Sequence, residues 1–152
     1  MATVTASLAT SRVSPKRLHA GANVVRVKYT GSANTLSDIV LLAKVPNGAI
    51  ITDMNGVFFS SNVDSVIKVG WSGADSGSAT AFGTHTASTT DATTNWTLTG
   101  EDLGPVHISF TDSTGSAAGM IYATCSAGTF SDSFSLDITF TYHMDHNEGQ
   151  GS

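Results

Sequence analysis

The sequence predicts an all-β protein: a single-domain, jelly-roll-like antiparallel β-sandwich of about eight strands. Short segments in which apolar and polar residues alternate are separated by turn residues, as expected of such a domain. Ser and Thr are abundant and only 12% of residues are charged, a balance that favours strands and turns over helices. A chain of 152 residues suits one domain. Because strand number does not fix topology, immunoglobulin-like and irregular barrel arrangements remain alternatives.

Three segments show the alternation most clearly. In the last, SFSLDITFTYH, every second residue from Phe134 to Tyr142 is apolar. In NVVRVKYT and SVIKVGWS, basic residues occupy the face opposite the apolar ones. A period of two means that one face is buried and the other is wet. The predicted inward residues are Val25, Val27, Tyr29, Ile67, Val69, Trp71, Phe134, Leu136, Ile138, Phe140 and Tyr142. Shorter strands are predicted at NWTLT, VHISFT and MIYATCSA.

The stretch LLAKVPNGAIITDMNGVFF is rich in apolar residues on both sides of a Pro-Asn-Gly turn. Pro46 presets φ at the second position of a turn, and Gly48 can close it. We therefore expect residues 38–44 and 49–60 to form a hairpin of two central strands. Gly56 within the second strand predicts a bulge or a close backbone approach.

Two further features concern the middle of the chain. Residues 72–95, which include the run THTASTTDATT, are predicted to form a long connection, and such loops are usually functional or ordered by a partner. Cys125 is the single cysteine, so no disulfide can form within the chain. Its place in the apolar alternation of MIYATCSA predicts a buried structural thiol.

The basic residues are concentrated near the N-terminus. Six of the seven lie in the first 44 positions, although the net charge of the chain is −5. We expect a basic extended arm over residues 1–22, a sandwich domain over 23–143 and a flexible C-terminal tail over 144–152. Within the arm, Arg12, Lys16 and Arg17 are the candidate contacts to a negatively charged partner surface. The alternative is a solvated arm without a partner.

No catalytic, cofactor-binding or metal-binding constellation stands out, and the chain is not expected to be an enzyme. His143 and His146 have a spacing that could hold a metal on a helix, but they follow the last strand. Asp75 lies in a Gly-rich loop without the acidic spacing of a calcium site. His107 and the adjacent pair Glu101 and Asp102 are better interpreted as surface residues. The N-terminal segment lacks the continuous apolar region of a secretory signal, and no apolar run is long enough to span a membrane, so we expect neither feature.

Two tryptophans support a different class of function. Trp71 and Trp96 could form a stacking platform for a sugar ring, as in a carbohydrate-binding β-sandwich module. The alternating apolar residues around both favour core positions instead. A test for saccharide binding would distinguish the two interpretations.

Three segments carry a resemblance to a known group of proteins. VLLAKVPNGAIITDMNGVFF, VIKVGWSGADS and AGTFSDSFSLDITFTYHMD resemble small virion structural proteins of tailed bacteriophages, over residues 24–145. The resemblance implies a capsid decoration or cement protein that is made in the host cytoplasm and binds the outside of the head. A head-fibre or tail-associated protein is the alternative. The partners expected are the major capsid protein and the chain itself, as a homotrimer. Contact to the capsid or to a neighbouring subunit is then expected from Arg12, Lys16 and Arg17. Nucleic acid is a poorer partner, because the basic arm belongs to an acidic chain.

Overall fold

The computed structural model describes residues 3–5, 22–31, 35–46, 48–60, 64–72, 77–86, 92–97, 106–108, 118–128, 130 and 134–144. These residues contain ten strands and no helix. The strands are β1 (Thr3–Thr5), β2 (Asn23–Thr30), β3 (Ile39–Pro46), β4 (Ala49–Ser60), β5 (Val66–Ser72), β6 (Gly77–Thr86), β7 (Ala92–Thr97), β8 (Val106–Ile108), β9 (Ala118–Ala127) and β10 (Ser135–Met144).

The strands form two sheets with jelly-roll order. One sheet runs β1-β3-β9-β5-β6 and the other β2-β10-β4-β7, with β8 also paired to β4. Apart from the three-residue strands β1 and β8, this leaves two four-stranded sheets, the arrangement of an eight-stranded jelly roll. All described pairings are antiparallel except that of β1 with β3. The predicted all-β sandwich is confirmed.

The core lies between the sheets and includes the residues that the alternation predicts. Val25 is partly buried, and the other ten predicted inward residues are buried. Cys125 is also buried, as predicted. Phe134 lies at the centre of an aromatic cluster, with its ring centroid 5.2 Å from that of Phe130, 6.1 Å from that of Tyr29 and 6.2 Å from that of Phe58. Edge-to-face packing of this kind stabilises a core beyond the area it buries.

The predicted hairpin between β3 and β4 is wrong in its pairing. β3 pairs with β1 and β9, whereas β4 pairs with β10 on one edge and with β7 and β8 on the other. The Pro46–Gly48 turn instead carries the chain from one sheet to the other. Gly48 has φ of 79°, and its N–H donates to the carbonyl of Ile108 at 2.9 Å. Two apolar strands joined by a tight turn can pair within a sheet or face each other across a core, and the apolar pattern is the same in both cases.

The irregularity in β4 lies at Thr52 rather than at Gly56. Gly56 stays in regular register, opposite Ile138 on one side and Trp96 on the other. Thr141 pairs with Asp53 and Tyr142 with Ile51, so Thr52 is the extra residue of a bulge. Both Thr52 and Asp53 are exposed, which interrupts the alternation of burial.

The predicted long connection over residues 72–95 is also wrong, because this segment contains β6 and the start of β7. β6 pairs with β5 and lies at the edge of its sheet. Gly70 of β5 allows the two backbones to approach closely. A Cβ at Gly70 would overlap the carbonyl oxygen of Ser78 and lie 2.7 Å from the Cα of Ala79.

Candidate interaction surface

β1, which lies within the segment predicted to be a basic arm, and β2, which follows that segment, lie on the same side of the sandwich. β1 pairs only with β3, and β2 pairs only with β10, among the strands that the structure describes. β2 and β3 belong to different sheets but contact each other. We call this side, formed by β1, β2 and β3, the arm flank. On the opposite side, β6 contacts β7. Arg12, Lys16 and Arg17 fall between β1 and β2 in the chain, outside the described residues.

A cluster of charges covers the outer surface of β2. Arg26 donates two hydrogen bonds to Asp137 of β10, from Nε to Oδ1 at 2.9 Å and from one terminal nitrogen to Oδ2 at 2.6 Å. Lys28 Nζ lies 3.4 Å from the same Oδ2. These hydrogen bonds and the attraction of the two cations hold the pKa of Asp137 below its usual value, and Asp137 raises the pKa of Arg26. The cluster therefore carries a single net positive charge.

The side chains of this cluster remain accessible to a partner. Arg26 is 60% exposed and Lys28 is 67% exposed, whereas Asp137 is 30% exposed. Val24, on the same face of β2, is 67% exposed. The arm flank thus presents an apolar side chain and two cations on an edge strand. Cations at an edge discourage indiscriminate pairing with other strands and can select an acidic partner.

A small depression lies beside the cluster on the outer face of the β2-β10-β4 sheet. Its volume is about 190 Å³. Pockets for drug-sized ligands usually span about 300–1,000 Å³, so this one is small for such a ligand. Its lining residues are Lys28, Tyr29, Thr30, Val57, Ser135, Leu136 and Asp137.

The other sheet is more apolar on its outer face near the arm flank. Ile39 and Leu41 of β3 are half-buried, as are Met120 and Tyr122 of β9. Leu41 and Tyr122 stand opposite each other in the register. Partial burial raises the pKa of the Tyr122 hydroxyl. This face therefore has a different character from the charged surface of β2.

The remaining candidates from the sequence do not come together as a chemical site. Trp71 is buried in the core, so it cannot form half of a two-tryptophan sugar platform. His143 is exposed on β10, a strand rather than a helix. Asp75, Glu101, Asp102 and His146 lie outside the described residues, as do the side chains of Trp96 and His107.

The described residues contain neither a metal-binding cluster nor a membrane-spanning helix. No group of three or more His, Cys, Asp or Glu side chains is arranged to hold a metal ion. In the same part of the chain, no helix is long and apolar enough to cross a membrane.

Sequence reasoning found the basic residues of β2 but missed Asp137 as their partner. Arg26 and Asp137 are 111 positions apart in the sequence, and no local pattern connects them. Asp137 is the one charged residue in the alternating segment SFSLDITFTYH before its final histidine. A carboxylate on the wet face of a central strand can indicate a basic neighbour, but only the register identifies which one.

Comparison with known proteins supports the fold without assigning a family. No family model matches the chain, and no curated protein matches it. A chain in the capsid of Ralstonia phage GP4 has the same fold, with a TM-score of 0.67 and 14% identity, covering 95% of this chain and 99% of that one. A chain in the capsid asymmetric unit of cyanophage Pam1 is more distant, with a TM-score of 0.51 and 19% identity, covering 90% of this chain and 96% of that one.

Proposed function

We propose that the chain is a structural protein of a bacteriophage virion and acts as a decoration or cement protein on the outside of the head. The observation that carries this proposal is the match to a chain of the GP4 capsid over nearly the full length of both chains. A fold alone does not define a function, since jelly rolls also occur in lectins and cupins. The burial of Trp71 argues against the alternative of a sugar platform. The resemblance of three segments to phage virion proteins supports the proposal of a virion protein.

The proposed mechanism is mechanical and involves no catalysis. The protein would span joints between subunits of the major capsid protein and bury surface there, which opposes separation of those subunits. Arg12, Lys16 and Arg17 would meet carboxylates on the outer surface of the shell. Arg26 and Lys28 would add positive potential on the arm flank, partly neutralised by Asp137.

Self-association as a homotrimer is part of this proposal. Capsid lattices contain local threefold positions between capsomers, and a closed ring of three copies matches that symmetry with identical contacts. Three arms on one ring would also strengthen a weak contact through effective concentration. Light scattering should then give a mass three times the 15.6 kDa of one chain, in solution or after release from heads.

Electron cryomicroscopy of the parent particle tests the location. We expect density for this jelly roll on the outer surface of the head, at positions between capsomers. Density in the tail or in a fibre would overturn the decoration role while leaving a virion component. Absence of the chain from purified virions would overturn both.

Binding to undecorated heads tests the role of the basic arm. The triple variant Arg12→Gln/Lys16→Gln/Arg17→Gln removes the charges without shortening the chain. Each exposed ion pair contributes at most about 1 kcal/mol, so each lost pair should weaken binding up to about fivefold. The loss should shrink as salt is added. Lys68→Gln on β5 is the control, and unchanged binding of the triple variant would show that the arm is only solvated.

A further inference from the structure

β1 pairs with β3 over only three residues, which is a short pairing for a strand at the edge of a sheet. Thr3, Val4 and Thr5 stand opposite Ile39, Val40 and Leu41 in parallel register. Parallel pairs are slightly less stable per residue than antiparallel pairs, and a short two-stranded contact is marginal by itself. Such a contact gains persistence when an assembly supplies the strand at high effective concentration.

The connection from β1 to β2 is much longer than the gap that it must cross within one chain. β1 ends opposite Leu41. β2 begins at the other end of the arm flank, because Asn23 pairs with Tyr142 and Tyr142 pairs with Ile51, close to the Pro46–Gly48 turn. Five residues of β3 and the spacing between the sheets make this gap about 20 Å. The 17 residues between these strands, 6–22, can span about 55 Å when extended.

The excess length exceeds ordinary connections in a compact domain. Most connections contain about 4–6 residues, and a chain that had to cross only 20 Å would need little more. The additional length of about 35 Å is comparable to the width of a small domain. β1 can therefore reach the arm flank of a neighbouring copy without any change in the sandwich.

The edge of β3 needs a strand to cover it. In the described sheet β3 is next to the edge, and only β1 covers its outer side. Without β1, the backbone groups of β3 would form an open edge beside the half-buried side chains of Ile39 and Leu41. Open edges promote association with other chains unless they are covered. Exchange of a terminal strand covers the edge in every copy of a closed ring.

We propose that in the assembled protein the Thr3–Thr5 strand of one copy pairs with β3 of a neighbouring copy, in the register seen here. The binding surface is the edge of β3 over Ile39–Leu41, and the partner is a second copy of this chain. The inference deepens the proposed function because it rests on self-association, but it does not depend on attachment to a capsid. The basic segment between β1 and β2 would then bridge adjacent copies.

Disulfide cross-linking tests the exchange. Thr3 and Ile39 are partners in the register, so we place Thr3→Cys in one variant and Ile39→Cys in a second, and refold the two together. Mild oxidation should yield a covalent dimer that contains one chain of each variant, which mass spectrometry identifies. The double variant Thr3→Cys/Ile39→Cys should give a ladder up to the full oligomer. Each single variant oxidised alone controls for contacts between identical positions.

A matched pair excludes accidental collisions. Thr3→Cys mixed with Thr84→Cys places the second thiol on exposed β6, on the opposite side of the sandwich, and should give no mixed dimer. The exchange is overturned if the double variant loses both introduced thiols yet runs only as single chains, in solution and on heads. Variants that bind heads but cross-link only within chains would keep the proposed function. Variants that cross-link between copies but bind no heads would keep the exchange and overturn the function.

Discussion

β10 and β6 are both ten residues long, but different interactions hold them in place. β10 is central, between β2 and β4, and its side chains alternate between buried and partly exposed from Ser135 to Tyr142. β6 is at an edge, with β5 as its partner, and contains a single large apolar side chain, Phe82. Side-chain burial therefore specifies β10, whereas close backbone pairing contributes more to β6.

The largest expected effect comes from truncating a core side chain of β10. Phe140→Ala should lower the free energy of unfolding by about 3–5 kcal/mol, because Phe140 is fully buried and its removal leaves a cavity. Urea unfolding monitored by circular dichroism measures the change. Thr139→Ala on the outward face of the same strand is the control and should change stability by about 0.5 kcal/mol or less. Equal losses in both variants would contradict the assignment of faces.

A backbone clash beside β6 should have the next largest effect. Gly70→Ala places a methyl group against the backbone of Ser78 and Ala79, so the two strands must separate. We expect a loss of about 1–3 kcal/mol, typical of overpacking. Ser72→Ala on the exposed end of β5 is the matched control. If Gly70→Ala were as stable as that control, β6 would not pair with β5 at the distance described.

The same contrast explains which parts of the fold the sequence predicts. The strands with large apolar side chains at every second position, such as β10 and β5, are recognisable because burial imposes the pattern. β6 reads GSATAFGTHT, and small residues with hydroxyl groups also suit a loop. Its strand conformation depends on β5, which a local pattern does not include. Long-range pairing was therefore the missing information.

The strand topology and the partner of the charged residues on β2 could not be predicted either, because both depend on long-range pairing. The Pro46–Gly48 turn fits both a hairpin and a passage between sheets, and only the pairing of β3 with β9 distinguishes them. The bulge at Thr52 did leave a signal, since two polar residues in succession interrupt the alternation of IITDMN. Arg26 and Lys28 were identifiable as outward residues. Asp137 as their partner required the register of β2 and β10.

The free energy of unfolding should depend on pH through His85, a buried residue of β6. His85 is buried on β6, and desolvation lowers its pKa below the ordinary value of 6.5, although a hydrogen bond with the Phe82 backbone works in the opposite direction. As pH falls through about 6.5, the unfolded chain binds a proton that the folded chain resists. Stability contributed by neutral His85 is therefore present above this pH and is lost below it.

The variant His85→Gln tests this linkage. The urea concentration at the midpoint of wild-type unfolding should decrease as pH is lowered from about 7.5 to about 5.5. The variant should lose part of this pH dependence. His143→Gln, which changes an exposed histidine at the end of β10, should keep the full dependence of the wild type. The same slope in wild type and His85→Gln would show that another group causes it.

The smallest expected effect concerns the charged cluster on the outer face of β10. The hydrogen bonds from Arg26 lower the pKa of Asp137 from its ordinary value of 3.8, and Lys28 adds to this effect. The folded chain therefore resists protonation of Asp137, so the stability contributed by its ionised form is complete above about pH 4 and is lost as pH falls through the lower folded pKa.

Asp137→Asn should lower the urea midpoint slightly at pH 7. The effect is small because both cations are largely exposed and water screens them. The difference should shrink as salt is raised from about 20 mM to 0.5 M. Asp53→Asn is the control for a general change in charge, because Asp53 is exposed on the neighbouring strand β4, on the same outer face of the sheet as Asp137. A loss as large as that of Gly70→Ala, or one insensitive to salt, would mean that Asp137 is held by packing rather than by its charge.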